Sequence, residues 1–310
     1  ANDGIVEKTA RIQEDHVQVL KRDDGTVKNI YLIDKQHIHN NSLQVLNQYD
    51  GMVVRSRTKV RQPLIDAAPN LKLIVRGGVG LDTIDVDYAR SKGITVLNTP
   101  AANSAAVAEL VIGLMLTLAR HITLADATMK AGKWEKKALE GTEIAGKTLG
   151  LIGYGRIGRL TAQKARALGM TVVGYDPFIT INDAGVRAVE LEELLKISDY
   201  ISLHVPTTPQ TRGMVSTAQF AQMKPTAYVI NAARGGVVDE AALYTALVNK
   251  VIAGAALDVY TEEPPKSEGL LQLIALPQVV ALPHLGASTV EALGRVGGEV
   301  AALVIEHFKK

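Results

Sequence analysis

Short apolar runs, each closed by Gly, Asp, Arg or Asn, recur through the first third of the chain, at residues 17–20, 51–54, 71–75 and 95–97. Runs of this length between turn formers predict buried strands. Segments 42–48 and 63–68 read as helices between them. Alternation of short strand and helix predicts a parallel α/β sheet. Asn98-Thr99-Pro100 breaks the pattern, and residues 105–119 follow, apolar on nearly every face. That predicts a buried helix with Ser104 as its N-cap, lying between domains or between subunits. At about 15 residues, and carrying Glu109, it is too short to span a bilayer.

A second alternating stretch begins at Lys147. Strands are predicted at 148–152, 171–175, 200–203, 228–231, 253–257 and 279–281, and helices at 159–168, 191–196, 217–222 and 240–248. Residues 288–309 read as one long helix that returns to the first unit. The fold class expected is α/β, with two doubly wound parallel-sheet domains.

Within the second stretch, the strand at 148–152 runs into Gly153-Tyr154-Gly155-Arg156-Ile157-Gly158. Gly153 permits a tight turn, Gly155 lets backbone approach a pyrophosphate, and Gly158 lets the helix pack close to the strand. The free N–H groups at the helix start would hold the anion. Asp176 closes the next strand, where a carboxylate accepts from the adenosine ribose hydroxyls and repels a 2′-phosphate. Pro177-Phe178 offer no arginine for such a phosphate. NAD is therefore the expected cofactor rather than NADP.

Composition narrows the classes. The 34 basic and 32 acidic residues leave a net charge of +2, which gives no reason to expect a nucleic-acid partner. Cysteine is absent, so disulfides and thiolate metal sites are excluded; no His–carboxylate spacing suggests a metal either. The polar, charged start shows no signal peptide, and a cytoplasmic location without membrane attachment is expected. Ala1–Ile5 resembles the turn after a strand, so a first strand before Ala1 is expected to be missing.

Four clusters fall at predicted strand ends, where open α/β sheets bind ligands. Arg234, in Asn231-Ala232-Ala233-Arg234-Gly235-Gly236, can clamp a carboxylate or pair with Asp239. Glu262-Glu263-Pro264-Pro265 reads as a fixed acidic loop, exposed or functional. His284 sits between a strand and a helix, as a proton donor and acceptor would. Gly77-Gly78-Val79-Gly80 forms either an anion nest or a plain tight turn. His204 lines the cofactor loop or satisfies a local hydrogen bond; His16, His37, His39, His121 and His307 read as surface or packing residues.

These motifs, in order, carry a resemblance from about Gly51 to about Glu299. They are Val54-Arg55-Ser56, the Gly77–Gly80 loop with Asp82, Asn98-Thr99-Pro100, Val107-Ala108-Glu109, Gly132-Lys133-Trp134, the Gly153–Gly158 turn, Ala233-Arg234-Gly235-Gly236, Glu262-Glu263-Pro264-Pro265 and Pro283-His284-Leu285-Gly286-Ala287-Ser288-Thr289. The chain resembles the D-isomer-specific 2-hydroxyacid dehydrogenases. The resemblance implies Rossmann-like and flavodoxin-like domains, with an NAD domain (98–283) inserted in a split substrate domain (1–97 and 284–310). It implies catalysis by His284, Glu263 and Arg234, with Glu263 holding the imidazole. Cofactor contacts are implied for Gly153, Gly155, Arg156, Ile157, Gly158, Asp176, Val205, Ala232, Ala233, Asp258 and Gly286, with Asp258 near the nicotinamide carboxamide. Substrate contacts are implied for Arg55, Ser56, Gly77, Gly78, Val79 and Asn98, the first two fitting a phosphorylated 2-hydroxy acid. Val79 stands where relatives often carry Thr. A homodimer or larger homo-oligomer is implied, as is the lack of C-terminal regulatory domains after Lys310. Two other readings share this sequence: a dehydrogenase for an unphosphorylated 2-hydroxy acid, and a non-catalytic NAD-sensing scaffold.

Overall fold

The computed structural model describes residues 18–21, 27–33, 46–55 and 58–309. Ser56, the chain start before Gln18, and His16, His37 and His39 lie outside the described residues, as does most of the expected helix at 42–48, of which Leu46–Gln48 is a 3₁₀ turn. The chain forms two compact units, one made of Ala1–Asn103 with Val290–Lys310, the other of Ser104–Thr289.

The first unit holds a five-stranded sheet in the order β1 (Gln18–Lys21), β2 (Val27–Ile33), β3 (Gly51–Val54), β4 (Leu73–Arg76) and β5 (Thr95–Asn98). Strands β2 to β5 are parallel, whereas β1 is antiparallel to β2. Too few residues separate β1 from β2 for a parallel crossover, so this edge departs from the all-parallel expectation. Side chains alternate across the sheet. Met52, Val54 and Ile74 pack under helix α1 (Gln62–Asp66) and helix α2 (Val86–Ser91), with Leu64, Ile65 and Ala89. Val53, Leu73 and Val75 face Val304 and Phe308 of the C-terminal helix, Val290–Lys309. The long last helix thus returns to the first unit's sheet, as its sequence position predicted.

The second unit holds seven parallel strands: β6 (Thr148–Ile152), β7 (Thr171–Tyr175), β8 (Val186–Ala188), β9 (Tyr200–Leu203), β10 (Tyr228–Asn231), β11 (Gly254–Leu257) and β12 (Val279–Ala281). Their order is β12-β11-β10-β9-β6-β7-β8. The chain runs outward from β6 to β8, then crosses back to β9 beside β6, which makes β6/β9 the topological switch point where such sheets bind ligands. Helix α3 (Ser104–Arg120) is buried within this unit: Val107, Val111, Leu114 and Met115 share a core with Leu149, Leu151 and Ala162. Ser104 is its first helical residue rather than a cap beyond it. Helix α4 (Ile122–Lys130), absent from the sequence reading, buries none of its residues. Helix α5 (Arg156–Ala167) begins three residues before its expected start. Helices α6 (Leu191–Ile197), α7 (Thr217–Phe220), α8 (Glu240–Val248) and α9 (Glu268–Ile274) complete the layers.

The unit boundaries fall a few residues beyond the expected ones, so His284 and Gly286 belong to the second unit, not to the split first one. The physical reason is local. Asp258, just after β11, accepts from Leu285 N (2.7 Å) and Gly286 N (2.8 Å), fastening this loop to the seven-stranded sheet. Asn98, in turn, pairs with Arg76 inside the five-stranded sheet.

Candidate active site and cofactor cradle

At the switch point, Gly153 has φ +95°, and a Cβ there would lie 2.6 Å from His204 O. A Cβ on Gly158 would lie 2.4 Å from Gly153 O. Only glycine lets the turn close this tightly on β9 and the helix close on the turn. His204 N donates to Ile152 O (2.7 Å), which ties the strand end of β9 to that of β6. The His204 ring bonds Ser202 Oγ through Nε2 (3.0 Å), and burial pushes its pKa down to about 4, so the ring is neutral. His204 therefore makes a local hydrogen bond, one of the two readings its sequence setting left open.

Gly155 caps α5 without a side-chain hydrogen bond, and the space a Cβ would fill there is open. The first N–H groups of a 12-residue helix thus lack a side-chain cap, as an anion site requires. Asp176 Oδ2 accepts from Tyr154 N (2.8 Å), which sets the carboxylate beside the glycine turn. The chain's residues fit a dinucleotide: a turn without side chains, an uncapped helix start and an adjacent carboxylate.

The proton-transfer candidates converge on the same sheet. His284 Nδ1 lies 2.7 Å from Glu263 Oε2, and Glu263 Oε1 accepts from Tyr260 N (3.1 Å). Partial burial pushes the Glu263 carboxyl up, but the His284 hydrogen bond and charge, Tyr260 N–H and the Arg234 guanidinium outweigh it and hold the carboxyl below its ordinary value. His284 adopts φ +57°, a left-handed conformation costly for a side-chain-bearing residue. The two Asp258 bonds to the next N–H groups fix that backbone. Asp258 is fully buried; burial raises its pKa more than its Leu285 and Gly286 N–H donors and His284 lower it. Both Asp258 oxygens are thereby engaged by the histidine loop, an anchoring that spacing alone did not reveal.

Arg234 follows β10 in a loop folded by Asn231, whose Oδ1 accepts from Ala233 N (3.1 Å) and whose Nδ2 donates to Arg234 O (3.0 Å). Arg234 Nη1 donates to Ala233 O (2.7 Å). Asp239, the alternative partner, caps α8 through Ala242 N (3.0 Å) and accepts from Ser216 Oγ (2.9 Å). A Cβ on Gly235 would lie 1.9 Å from Tyr260 O, so the arginine loop lies directly against the acidic loop. Glu240, which no motif singled out, accepts from Thr261 N (2.8 Å) and Thr261 Oγ1, bracing the same acidic loop from α8.

The residues expected to contact substrate lie on the first unit. Arg55 follows β3, Gly77 follows β4, and Asn98 ends β5. In the Gly77–Gly80 loop, two of the four N–H groups of an anion nest are committed to the scaffold. Gly77 N donates to Val54 O (2.9 Å) and Gly78 N to Thr99 Oγ1 (2.7 Å), so these two N–H groups are already used. Asn98 Nδ2 donates to Val79 O (2.5 Å), closing the turn from the other side. Among the described residues no group of three or more His, Cys, Asp or Glu is placed to hold a metal, and no single helix is long and apolar enough to cross a membrane.

A dinucleotide cradle beside a His–Glu pair and an arginine defines a nicotinamide-dependent dehydrogenase. The family profile described as D-isomer specific 2-hydroxyacid dehydrogenase, NAD binding domain, matches residues 112–286. The chain is 48% identical over 277 residues to hydroxypyruvate reductase of Thermotoga maritima, covering 89% of this chain and 90% of that one. It is 45% identical over 306 residues to D-3-phosphoglycerate dehydrogenase of Methanocaldococcus jannaschii, covering 97% of this chain and 56% of that one. The chain spans about half the length of the D-3-phosphoglycerate dehydrogenases it matches. A structure of D-lactate dehydrogenase from Aquifex aeolicus, complexed with NAD and lactic acid, superposes with a TM-score of 0.79 at 34% identity, over 88% of this chain and 86% of that one. The chain belongs to the D-isomer-specific 2-hydroxyacid dehydrogenase family, and NAD is its cofactor. A second profile, the N terminus of type I restriction enzyme R proteins, matches residues 1–59. That segment includes the antiparallel β1–β2 pair, where the first sheet departs from the parallel pattern.

Proposed function

We propose that the chain oxidises D-3-phosphoglycerate to 3-phosphohydroxypyruvate, the first step of L-serine biosynthesis, with the cytoplasmic location that pathway carries. The observation that supports the chemistry is the His284–Glu263 contact at 2.7 Å. Glu263 holds Nδ1 as the protonated nitrogen, leaving Nε2 to take the proton of the substrate hydroxyl and stabilising the imidazolium that results. Bound NAD supplies the hydride acceptor at the substrate carbon. In the reverse direction His284 returns its proton to the forming alkoxide. Arg234 clamps the substrate carboxylate and polarises the reacting oxygen.

Around this centre, the backbone of Gly153, Gly155, Arg156, Ile157 and Gly158 holds the pyrophosphate and Asp176 the ribose. Val205, Ala232, Ala233 and Gly286 line the cofactor, and Asp258, buried with both oxygens on the Leu285 and Gly286 N–H groups, supports that lining from behind instead of reaching the carboxamide. Arg55, Ser56, Gly77, Gly78, Val79 and Asn98 form the substrate-side set, with Arg55 as the phosphate ligand. The phosphorylated substrate is supported by Arg55 and by the likeness to D-3-phosphoglycerate dehydrogenases. Reduction of hydroxypyruvate is the second reading, favoured by identity and near-equal length with the Thermotoga protein. A homodimer fits the exposed apolar side chains of Ile122, Leu124 and Met129 on α4 with Trp134 beyond it; it is on α4, rather than the buried α3, that apolar surface is left over.

The test is NADH formation from 3-phosphoglycerate, D-lactate and glycerate at equal concentration with a ketone trap, and NADH consumption with hydroxypyruvate. Selective turnover of 3-phosphoglycerate is expected. Turnover of unphosphorylated acids alone transfers the assignment to the second reading. NADH binding without turnover in either direction overturns the enzymatic assignment.

A further inference from the structure

Tyr154 fills the variable position between the first two glycines of the cofactor turn and is 1% exposed. Its two polar groups reach opposite ends of one segment. Its N–H donates to Asp176 Oδ2 (2.8 Å), where the segment leaves β7, and its hydroxyl donates to Asp183 Oδ2 (2.8 Å), just before β8. Burial, with the Asp183 hydrogen bond, raises the Tyr154 pKa to about 12, so the hydroxyl remains a donor. Asp183 Oδ1 accepts from Gly185 N (3.2 Å) and lies 3.5 Å from Arg166 Nη1. Arg159 donates from Nε to Tyr154 O (3.2 Å), and its guanidinium lies 5.6 Å from the phenol ring centre.

The other end of the segment is nearly saturated. Asp176 accepts from Tyr154 N and also, through Oδ1, from Phe178 N (2.9 Å) and Ile179 N (3.0 Å). A carboxylate has about four acceptor sites, so roughly one remains for a ligand hydroxyl. Such a carboxylate cannot turn to follow a displaced ribose. Its aim depends on the backbone of residues 176–183, and Tyr154 ties down both ends of it.

We propose that Tyr154 is a positioning residue for NAD affinity and for selectivity against NADP, acting by holding residues 176–183 against the glycine turn. The proposal rests on Asp176 as the ribose ligand. Tyr154→Phe keeps the ring in the core and removes only the bond to Asp183. Removal of one hydrogen bond of this kind corresponds to roughly a five- to tenfold loss.

The experiment measures Kd for NAD and for NADP and kcat at saturating NAD, in Tyr154→Phe, Asp183→Ala, the double variant and Asp176→Ala. Tyr154→Phe is expected to weaken NAD about five- to tenfold, to leave kcat at saturation within about twofold, and to narrow the NAD/NADP ratio. Asp183→Ala is expected to do the same from outside the core, which keeps the test open should Tyr154→Phe fold poorly. The double variant is expected to be no weaker than Asp183→Ala alone, because the bond that Tyr154→Phe removes is already lost there. Unchanged NAD affinity in both single variants overturns the proposal, as do additive losses in the double. If Asp176→Ala leaves the NAD/NADP ratio unchanged, the ribose assignment itself fails; if it changes the ratio while Tyr154→Phe does not, only the positioning role fails.

Discussion

Two glycine-rich turns follow buried strands, one in each unit, and they are opposites in what they leave available. The Gly153–Gly158 turn runs directly into a 12-residue helix whose cap has no side-chain bond. The Gly77–Gly80 turn runs into no helix until Val86, and its first two N–H groups are taken by Val54 O and Thr99 Oγ1. Similar composition therefore serves two ends. One turn leaves the backbone at a helix start without a side-chain cap; the other commits two of its N–H groups to its own scaffold. A glycine motif becomes an anion site only where its donors remain uncommitted.

If the chemistry belongs to the unit with the open turn, the largest effect lies at His284. His284→Asn is expected to lower kcat by about 10²–10⁴-fold, the range for loss of a general acid–base group, while NADH affinity measured by fluorescence titration stays put. Near-normal turnover would remove His284 from the mechanism. Next is the turn itself. Gly158→Val puts side-chain atoms where Gly153 O already lies 2.4 Å from a Cβ. NAD binding is expected to be lost, with overpacking costing about 1–3 kcal/mol of stability; calorimetry and thermal melting read the two effects separately. Retained NAD affinity would show that the turn does not need this close approach.

The contrast between the turns also marks how far the sequence could be read. The second unit was legible because its signals are local: a short apolar run, then glycines, then helix formers, repeated in the order a doubly wound sheet requires. Every strand from β6 to β12 except β8 could be placed that way. The short β8, Val186–Ala188, has one buried residue and so no apolar run. Helix α4 buries nothing and carries no core-facing stripe. Strand β2 was not placed, although Ile30-Tyr31-Leu32-Ile33, closed by Asp34, has the same local signal. At the site, strand-end positions singled out His284, the Glu262–Glu263 loop and Arg234, with alternatives open for the last two, and the family resemblance supplied their catalytic roles. What joins and braces them was not legible. Tyr154 meets Asp183 across 29 positions, Thr261 meets Glu240 across 21, and Asp258 meets Leu285 across 27. Such pairs depend on which strands become neighbours, which no local pattern encodes.

A smaller effect sharpens the view of the open turn from below. His204 is held neutral beneath it, with its pKa pushed down to about 4 by burial. In the unfolded chain the ring titrates near 6.5. Below that value the unfolded state binds a proton that the folded state refuses, so stability falls as pH drops from about 6.5 to about 4 and is not regained at lower pH. The shift corresponds to at most about 3.4 kcal/mol. Urea unfolding at pH 7, 6 and 5 is expected to show a steeper acid loss for the parent protein than for His204→Gln, which has no group titrating there. Parallel pH curves for the two proteins would show that the His204 ring takes up its proton in the folded state.

The smallest expected effect tests the closed turn. Thr99 is fully buried; its Oγ1 accepts from Gly78 N and its own N–H donates to Gly78 O (3.2 Å), a reciprocal pair within the first unit. Thr99→Val keeps the shape and removes the acceptor, leaving the Gly78 N–H without that bond at a cost of about 1–2 kcal/mol. Because the Gly77–Gly80 loop belongs to the proposed substrate side, KM for the hydroxy acid should rise a few-fold, roughly as that energy implies, while NAD affinity and kcat hold. Steady-state kinetics and NAD titration on one preparation separate these outcomes. A shift in NAD affinity would mean that the second turn does reach the cofactor, and the division of labour between the turns would have to be abandoned. A rise in KM alone keeps the turns distinct: the open one binds the dinucleotide, and the closed one owes its shape to Thr99 and Asn98.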